Sequence, residues 1–365
     1  MKNSLSIGKI AGIQIFIHWT FPLIILWIIF SNARSGLNVE QITWSVLFVL
    51  TLFVCVTLHE LGHALAAKRF HIKTKDIILL PIGGVARLEN MPEKPMQELI
   101  VALAGPAVNV VIFLILYIAL QIASIPFDFT AITNITAGNF LFNLAILNVW
   151  LAVFNLIPAF PMDGGRVLRA LLAMKLNRTL ATQIAGKIGQ VIAAGFVILG
   201  FFGNPFLIFI GIFIFLAAMT ETEMVKTQSV LKGHTIGELT MKQLPVLHRT
   251  DTIEEAVQLL LDGQSKNFVV MDNNKPFGTL NRDGIIKALT QQGDKVSVET
   301  ATDINLGYIE ANEPVDKALL MMQQHKYPLL IVTKNRELYG VVDMENILEY
   351  IMVINATAAS LNQHN

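Results

Sequence analysis

Val56-Thr57-Leu58-His59-Glu60-Leu61-Gly62-His63-Ala64 lies inside a run, Trp44 to Ala67, apolar enough to cross a bilayer. Apart from hydroxyls, His59, Glu60 and His63 are the only charged or strongly polar side chains in that run. Ionisable groups at membrane depth cost about 2.5–3.5 kcal/mol each on insertion scales, so three within five residues mark a function. On a helix, positions i and i+4 share one face. His59 and His63 therefore present their imidazoles to one point, with Glu60 beside it. That HExxH spacing suits a zinc ion with a neighbouring carboxylate as general base. Catalytic zinc sites use three protein ligands and keep a position open for water, so a third ligand must come from elsewhere in the chain.

The surroundings are those of a membrane protein. Hydrophobic residues make up 53% of the 365 and charged residues 15%, with a mean hydropathy of +0.57; soluble domains carry about 25% charge. The formal net charge is zero, which gives no electrostatic footprint for nucleic acid. A single cysteine, Cys55, excludes an intrachain disulfide. Runs of about 20 apolar residues fall near 15–31, 44–67, 97–124, 138–157, 180–202 and 205–220. The first run lacks a small-residue cleavage site and reads as a span rather than a cleaved signal. Lys and Arg concentrate in alternate connections: Lys2 and Lys9; then Lys68, Arg69, Lys73 and Lys75; then Arg166, Arg169, Lys175 and Arg178. The positive-inside rule then predicts six spans with both termini cytoplasmic. It also puts the HExxH run toward the cytoplasmic end of the second span.

A second chemical segment, Phe154-Asn155-Leu156-Ile157-Pro158-Ala159-Phe160-Pro161-Met162-Asp163-Gly164-Gly165-Arg166, closes the fourth span. Its prolines and glycines break a helix, and irregular backbone at membrane depth must be buried in protein or line a cavity. Asp163 is expected at the depth of His59 and His63. It reads either as the third zinc ligand or as a cap on the helix that follows. Cys55, one turn before His59, is a rival ligand or a small apolar filler.

After about Thr222 charges become frequent and two segments of one plan follow each other. Thr250 to Ala256, Asn267 to Met271 and Pro276 to Leu280 are matched by Asn312 to Ala318, Tyr327 to Val332 and Leu338 to Val342. Repetition at about 60 residues, helix–strand–strand–helix each time, is a soluble α/β repeat pair. The expected fold class is thus a polytopic α-helical membrane protein followed by a soluble α/β module. The domains are expected at 1–222 (transmembrane) and 231–357 (the repeats at 231–292 and 300–355), with a tail at 358–365.

The run His59 to Phe70, the run Pro81-Ile82-Gly83-Gly84-Val85-Ala86-Arg87-Leu88-Glu89, Ala104-Gly105-Pro106-Ala107-Val108-Asn109 and the Phe154–Arg166 segment, in that order and ahead of a tandem CBS pair, resemble the site-two proteases. The similarity covers nearly the whole chain and is closest to the branch with C-terminal CBS domains. The resemblance implies an intramembrane zinc endopeptidase with one Zn²⁺ held by His59, His63 and Asp163, and with Glu60 as catalytic base. It implies a membrane-bound protein substrate, cut within or next to its transmembrane segment. It further implies that Pro81 to Glu89 form a small embedded β-hairpin whose edge holds extended substrate. Asn155 and Asn109 match family asparagines thought to orient substrate or stabilise an oxyanion; each otherwise serves as an interhelical hydrogen bond, the reading given to Asn148. His18 also fits the family pattern, as an interface group or part of the entry route to the metal.

Family CBS clefts show Gly, a hydroxyl three residues on and Asp three further. Here the positions hold Gly278, Asn281 and Gly284, with the acid displaced to Asp283, then Gly340, Asp343 and, in place of the acid, Asn346. The hydroxyl is missing twice, which leaves an adenosyl nucleotide and a ligand-free homodimerisation module as alternatives. The rival reading of the whole chain is a CBS-regulated transporter or ion channel in which His59, Glu60 and Asp163 relay ions.

Overall fold

The apolar run taken as a first span opens as a strand instead. Ile13-Gln14-Ile15-Phe16-Ile17-His18 alternates, β-branched residues at every second position, and Ile13 and Ile15 are buried. A continuous apolar run hides this period from a hydropathy reading. Strands β1 (Ser4–Ile10) and β2 (Ile13–His18) pair antiparallel around Ala11 and Gly12, which take φ of +52° and +91°. Helix α1 follows only at Phe21–Arg34. The computed structural model describes residues 4–81, 83–88, 92, 94–124, 135–243, 246–263 and 265–363, with side chains to 357. Two compact units emerge, Met1–Glu223 and Met224–Asn365.

In the first unit, α2 (Val39–Arg69) begins at Asn38, which accepts from the Gln41 N–H while Gln41 Oε1 accepts from the Asn38 N–H. This reciprocal box satisfies two of the orphan amides at a helix start. The helix ends with Lys68 and Arg69, whose charge suits its C-terminus. Strands β3 (Thr74–Leu80) and β4 (Gly83–Leu88) follow, then α3 (Pro95–Ile122), α4 (Phe140–Asn155), α5 (Asp163–Ala173), α6 (Arg178–Phe202) and α7 (Phe206–Leu231), whose residues beyond Glu223 fall in the second unit. Among the described residues, α2, α3, α6 and α7 are long and apolar enough to cross a membrane. Two expected spans come out shorter, α1 at 14 residues and α4 at 16. The first lost its start to β2; the second ends where the Pro158 segment begins.

The expected hairpin is a larger object. β3 and β4 pair antiparallel as foreseen, although Ile82 and Glu89 lie outside the described residues. They are half of a four-stranded sheet ordered β1-β2-β3-β4, because β2 runs parallel to β3 across the α1–α2 crossover. Ile13, Ile77 and Leu79 on the sheet pack against Leu61 and Ala64 of α2. These two residues interleave with the motif, so the sheet seats one face of α2 and leaves the histidine face to α3.

Arg169 of α5 is completely buried. Its Nε donates to Glu98 of α3 at 2.7 Å and its Nη1 to Glu221 of α7 at 2.5 Å, and its guanidinium lies 5.0 Å from the Phe160 ring centroid. Arg178 at the start of α6 approaches Glu98 to 3.6 Å. One cation therefore ties α5 to two helices that are distant in sequence. Removing one partner of a buried pair leaves an uncompensated charge, at a cost of about 3–5 kcal/mol. Arg169→Ala is expected to lose about that much stability in detergent unfolding; a loss below 1 kcal/mol would refute the role.

The second unit holds α8 (Ile236–Leu239) and two repeats. The first comprises β5 (Val246–His248), α9 (Ile253–Asp262), β6 (Asn267–Asp272), β7 (Lys275–Asn281) and α10 (Arg282–Gln292). The second comprises β8 (Gly307–Glu310), α11 (Val315–His325), β9 (Leu329–Lys334), β10 (Glu337–Asp343) and α12 (Met344–Gln363). Each repeat gains a leading strand the sequence reading lacked, β5 of three residues and β8 of four, too short to show a period. These pair parallel with β6 and β9. Val269, Met271, Leu329, Ile331 and Val341 join the two repeats in one shared core. Helix α12 runs on to Gln363, into the segment expected as a tail.

Candidate metal centre

Glycines let the helices close on the site. A Cβ on Gly62 of α2 would lie 2.8 Å from the Ala104 carbonyl oxygen and from Val108, and a Cβ on Gly105 of α3 would run into the imidazoles of His63 and His59. The motif face of α2 thus meets α3 at backbone distance. Beyond α4, Cβ atoms on Gly164 and Gly165 would collide with the backbone of residues 156–160. Only glycines there allow α5 to start tight against the Pro-rich segment, which turns its first residue, Asp163, back toward α2.

The side chains converge. His59 Nε2 and His63 Nε2 lie 3.1 Å apart, and Asp163 Oδ2 lies 3.2 Å from the first and 3.1 Å from the second. All three residues are about 5–6% exposed, and they form the one metal-capable group of His, Cys, Asp and Glu found among the described residues. The cap reading of Asp163 gives way, since Met162 is the N-cap and Asp163 sits inside the first turn. Arg166 Nη1 approaches the other Asp163 oxygen to 4.0 Å.

Both histidines are held from behind. His63 Nδ1 faces the Val101 carbonyl oxygen at 2.7 Å and His59 Nδ1 faces Asn109 Oδ1. A carbonyl only accepts, so His63 carries its proton on Nδ1, and its Nε2 lone pair faces the carboxylate. Acceptor then faces acceptor, an arrangement a cation between them relieves. Two neutral imidazole nitrogens and a carboxylate, each with its far side engaged, fit a zinc site.

Glu60 follows His59 but points elsewhere. Its Oε2 accepts from the Ala86 N–H of β4 at 3.0 Å. β4 is the last strand in the order of the sheet, so the contact sets the carboxylate beside an edge strand. Asn155 donates from Nδ2 to the Leu151 carbonyl one turn back, at 2.9 Å. His18 Nδ1 lies 2.7 Å from Thr20 Oγ1. Cys55 is a buried free thiol, 3.5 Å from Asn148 Nδ2 and outside the cluster. Asn109 and Asn148 are fully buried and linked at 2.9 Å. That link is the interhelical hydrogen bond offered for these asparagines; the contact of Asn109 with His59 is the added feature, and its only trace in the sequence is an amide in an otherwise apolar helix.

In the second unit, Asn281 Oδ1 accepts from the Gly284 N–H at the start of α10. Asp343 and Asn346 accept from each other's backbone N–H at 3.0 and 3.1 Å, and Asp343 also takes a hydrogen bond from Asn267.

Comparison with known proteins gives the family. The model of peptidase family M50 matches residues 47–125 and 121–202, and the CBS domain model matches 236–291 and 301–353. Zinc metalloprotease MJ0392 of Methanocaldococcus jannaschii is 33% identical over 97% of this chain and 98% of its own. Putative zinc metalloprotease sll0528 of Synechocystis is 28% identical over 96% of each. The solved site-2 protease from Methanocaldococcus jannaschii is 37% identical, covers 60% of this chain and 95% of its own, and has a TM-score of 0.45. The ion-relay reading falls away. With a third of its residues shared with a zinc metalloprotease over nearly its whole length, the chain belongs to the M50 (site-2 protease) family, as a membrane-embedded metalloprotease carrying a tandem CBS pair.

Proposed function

We propose that this metalloprotease hydrolyses a peptide bond within or next to a transmembrane segment of a membrane-bound substrate, with His59, His63 and Asp163 as zinc ligands and Glu60 as the catalytic base. The observation that carries the reading is the convergence of His59 Nε2, His63 Nε2 and Asp163 Oδ2 within a buried site between apolar helices. When bound, zinc supplies Lewis-acid activation of water near neutral pH. Glu60 takes the proton of the attacking water and hands it to the leaving amine. A substrate helix hides its carbonyls, so it unwinds before cutting. The free edge of β4 beside Glu60 offers main-chain partners for the extended segment. Asn155 would leave its bond to Leu151 and stabilise the oxyanion.

Six membrane crossings with both termini and the CBS pair cytoplasmic follow from the distribution of Lys and Arg. The CBS pair acts as regulator. Asn281 and Asp343, at nucleotide-pattern positions, are spent on helix caps, which favours association between copies over nucleotide sensing.

One assay tests this reading: full-length protein with a model transmembrane substrate in liposomes. A zinc chelator should stop cutting and added zinc restore it. Asn155→Ala should slow turnover with zinc content unchanged, and adenosine nucleotides should leave the rate alone. Cleavage that survives complete zinc removal would sink the proposal.

A further inference from the structure

His63 and His59 are braced differently. His63 leans on a backbone carbonyl, which cannot be mutated away or turned over. His59 leans on a side chain, Asn109 of α3, which leans on another, Asn148 of α4. Both amides are 0% exposed, in helices where a buried amide without partners is costly.

The direction of every bond in this chain is set from its far end. The Leu144 carbonyl only accepts, so the Asn148 atom 2.8 Å from it is the nitrogen, and Asn148 Oδ1 points the other way. That oxygen accepts from Asn109 Nδ2 at 2.9 Å, so Asn109 Oδ1 is the atom turned to His59 Nδ1. An acceptor at Nδ1 keeps the proton there. The lone pair of His59 then resides on Nε2, facing His63 and Asp163.

We propose that Asn148 and Asn109 are serial positioning residues that fix the tautomer and ring orientation of His59 for metal binding, Asn148 acting without touching a ligand. The proposal rests on the reading of His59 as a zinc ligand. Partners behind a metal-bound histidine are worth about 10–100-fold in metal affinity. Groups in one series do not add: once Asn109 is gone, Asn148 has nothing left to transmit.

The test is zinc affinity of the full-length protein in detergent, by competition with a chelator of known affinity, beside thermal melting of the zinc-stripped form. Asn109→Leu should weaken zinc binding about 10–100-fold and Asn148→Leu several-fold. The double variant should lose no more than Asn109→Leu alone. Asn143→Leu is the control, because Asn143 is also buried on α4 but bonds its own helix at Asn139; it should bind zinc like the wild type. Unchanged affinity in Asn109→Leu, additive losses in the double variant, or an equal loss in Asn143→Leu would each overturn the relay while leaving the metal centre standing. If Asn109→Leu does not fold, unchanged affinity in Asn148→Leu overturns it. A wild type that takes up no zinc overturns the metal centre and the relay with it.

Discussion

Glu60→Gln is expected to abolish cleavage while the protein keeps its fold and about one zinc per chain. Glutamine matches glutamate in size, and its amide oxygen can still accept the Ala86 N–H that Glu60 Oε2 receives at 3.0 Å. What it lacks is a site for the proton of the attacking water. General base catalysis contributes about 10²–10⁴-fold, and the same group returns the proton to the leaving amine, so the loss should lie at or beyond the upper end. Zinc content and cutting are measured on one preparation. Cleavage by the variant within tenfold of wild type would remove Glu60 from the mechanism. Loss of both cleavage and zinc would make Glu60 a structural residue.

The second large effect is expected from a single methyl group. Gly105→Ala changes a helix-interior glycine to the best helix former, by itself a gain of about 1 kcal/mol. The added Cβ, however, points into the imidazoles of His63 and His59. The rings must move or α3 must back away, and either opens the cluster of three ligand atoms. Displacements of about 1 Å cost about 10² in positioned chemistry. Cleavage is therefore expected to fall about 100-fold or more, with zinc affinity falling alongside. Gly195→Ala on α6 is the matched control, since a Cβ there meets nothing within 4 Å. Equal zinc affinity in Gly105→Ala and Gly195→Ala would show that the α2–α3 approach does not set the site.

Much of the site was legible because its chemistry is local. His59 and His63 one turn apart on an apolar helix mark a candidate metal face whatever surrounds them, with Glu60 beside it. For Asp163 the residues alone offered ligand or cap, because a sequence shows depth but not direction, and matching depth and the family resemblance favoured the ligand. The packing of Gly164 and Gly165 against the 156–160 backbone turned it toward the histidines. The N-terminal strand was not legible, since Ile15 to His18 open an apolar run whose hydrophobicity beyond them drowns the period. Its partner β3 lies about 60 residues on, a pairing that hydropathy cannot signal.

The sequence by itself carried the family resemblance, the membrane class, the candidate metal-ligand and base residues and the repeated CBS plan. Those properties reside in composition, in helix and repeat periods, and in motifs whose members are neighbours along the chain. Tertiary structure alone decided which way the long-range groups point: Asp163 at the imidazoles, the edge of β4 at Glu60, Arg169 between Glu98 and Glu221, and the two asparagines behind His59. The physical reason is that orientation depends on how closely helices approach. That distance is set by glycines whose contacts lie tens of residues away, where no local pattern records them.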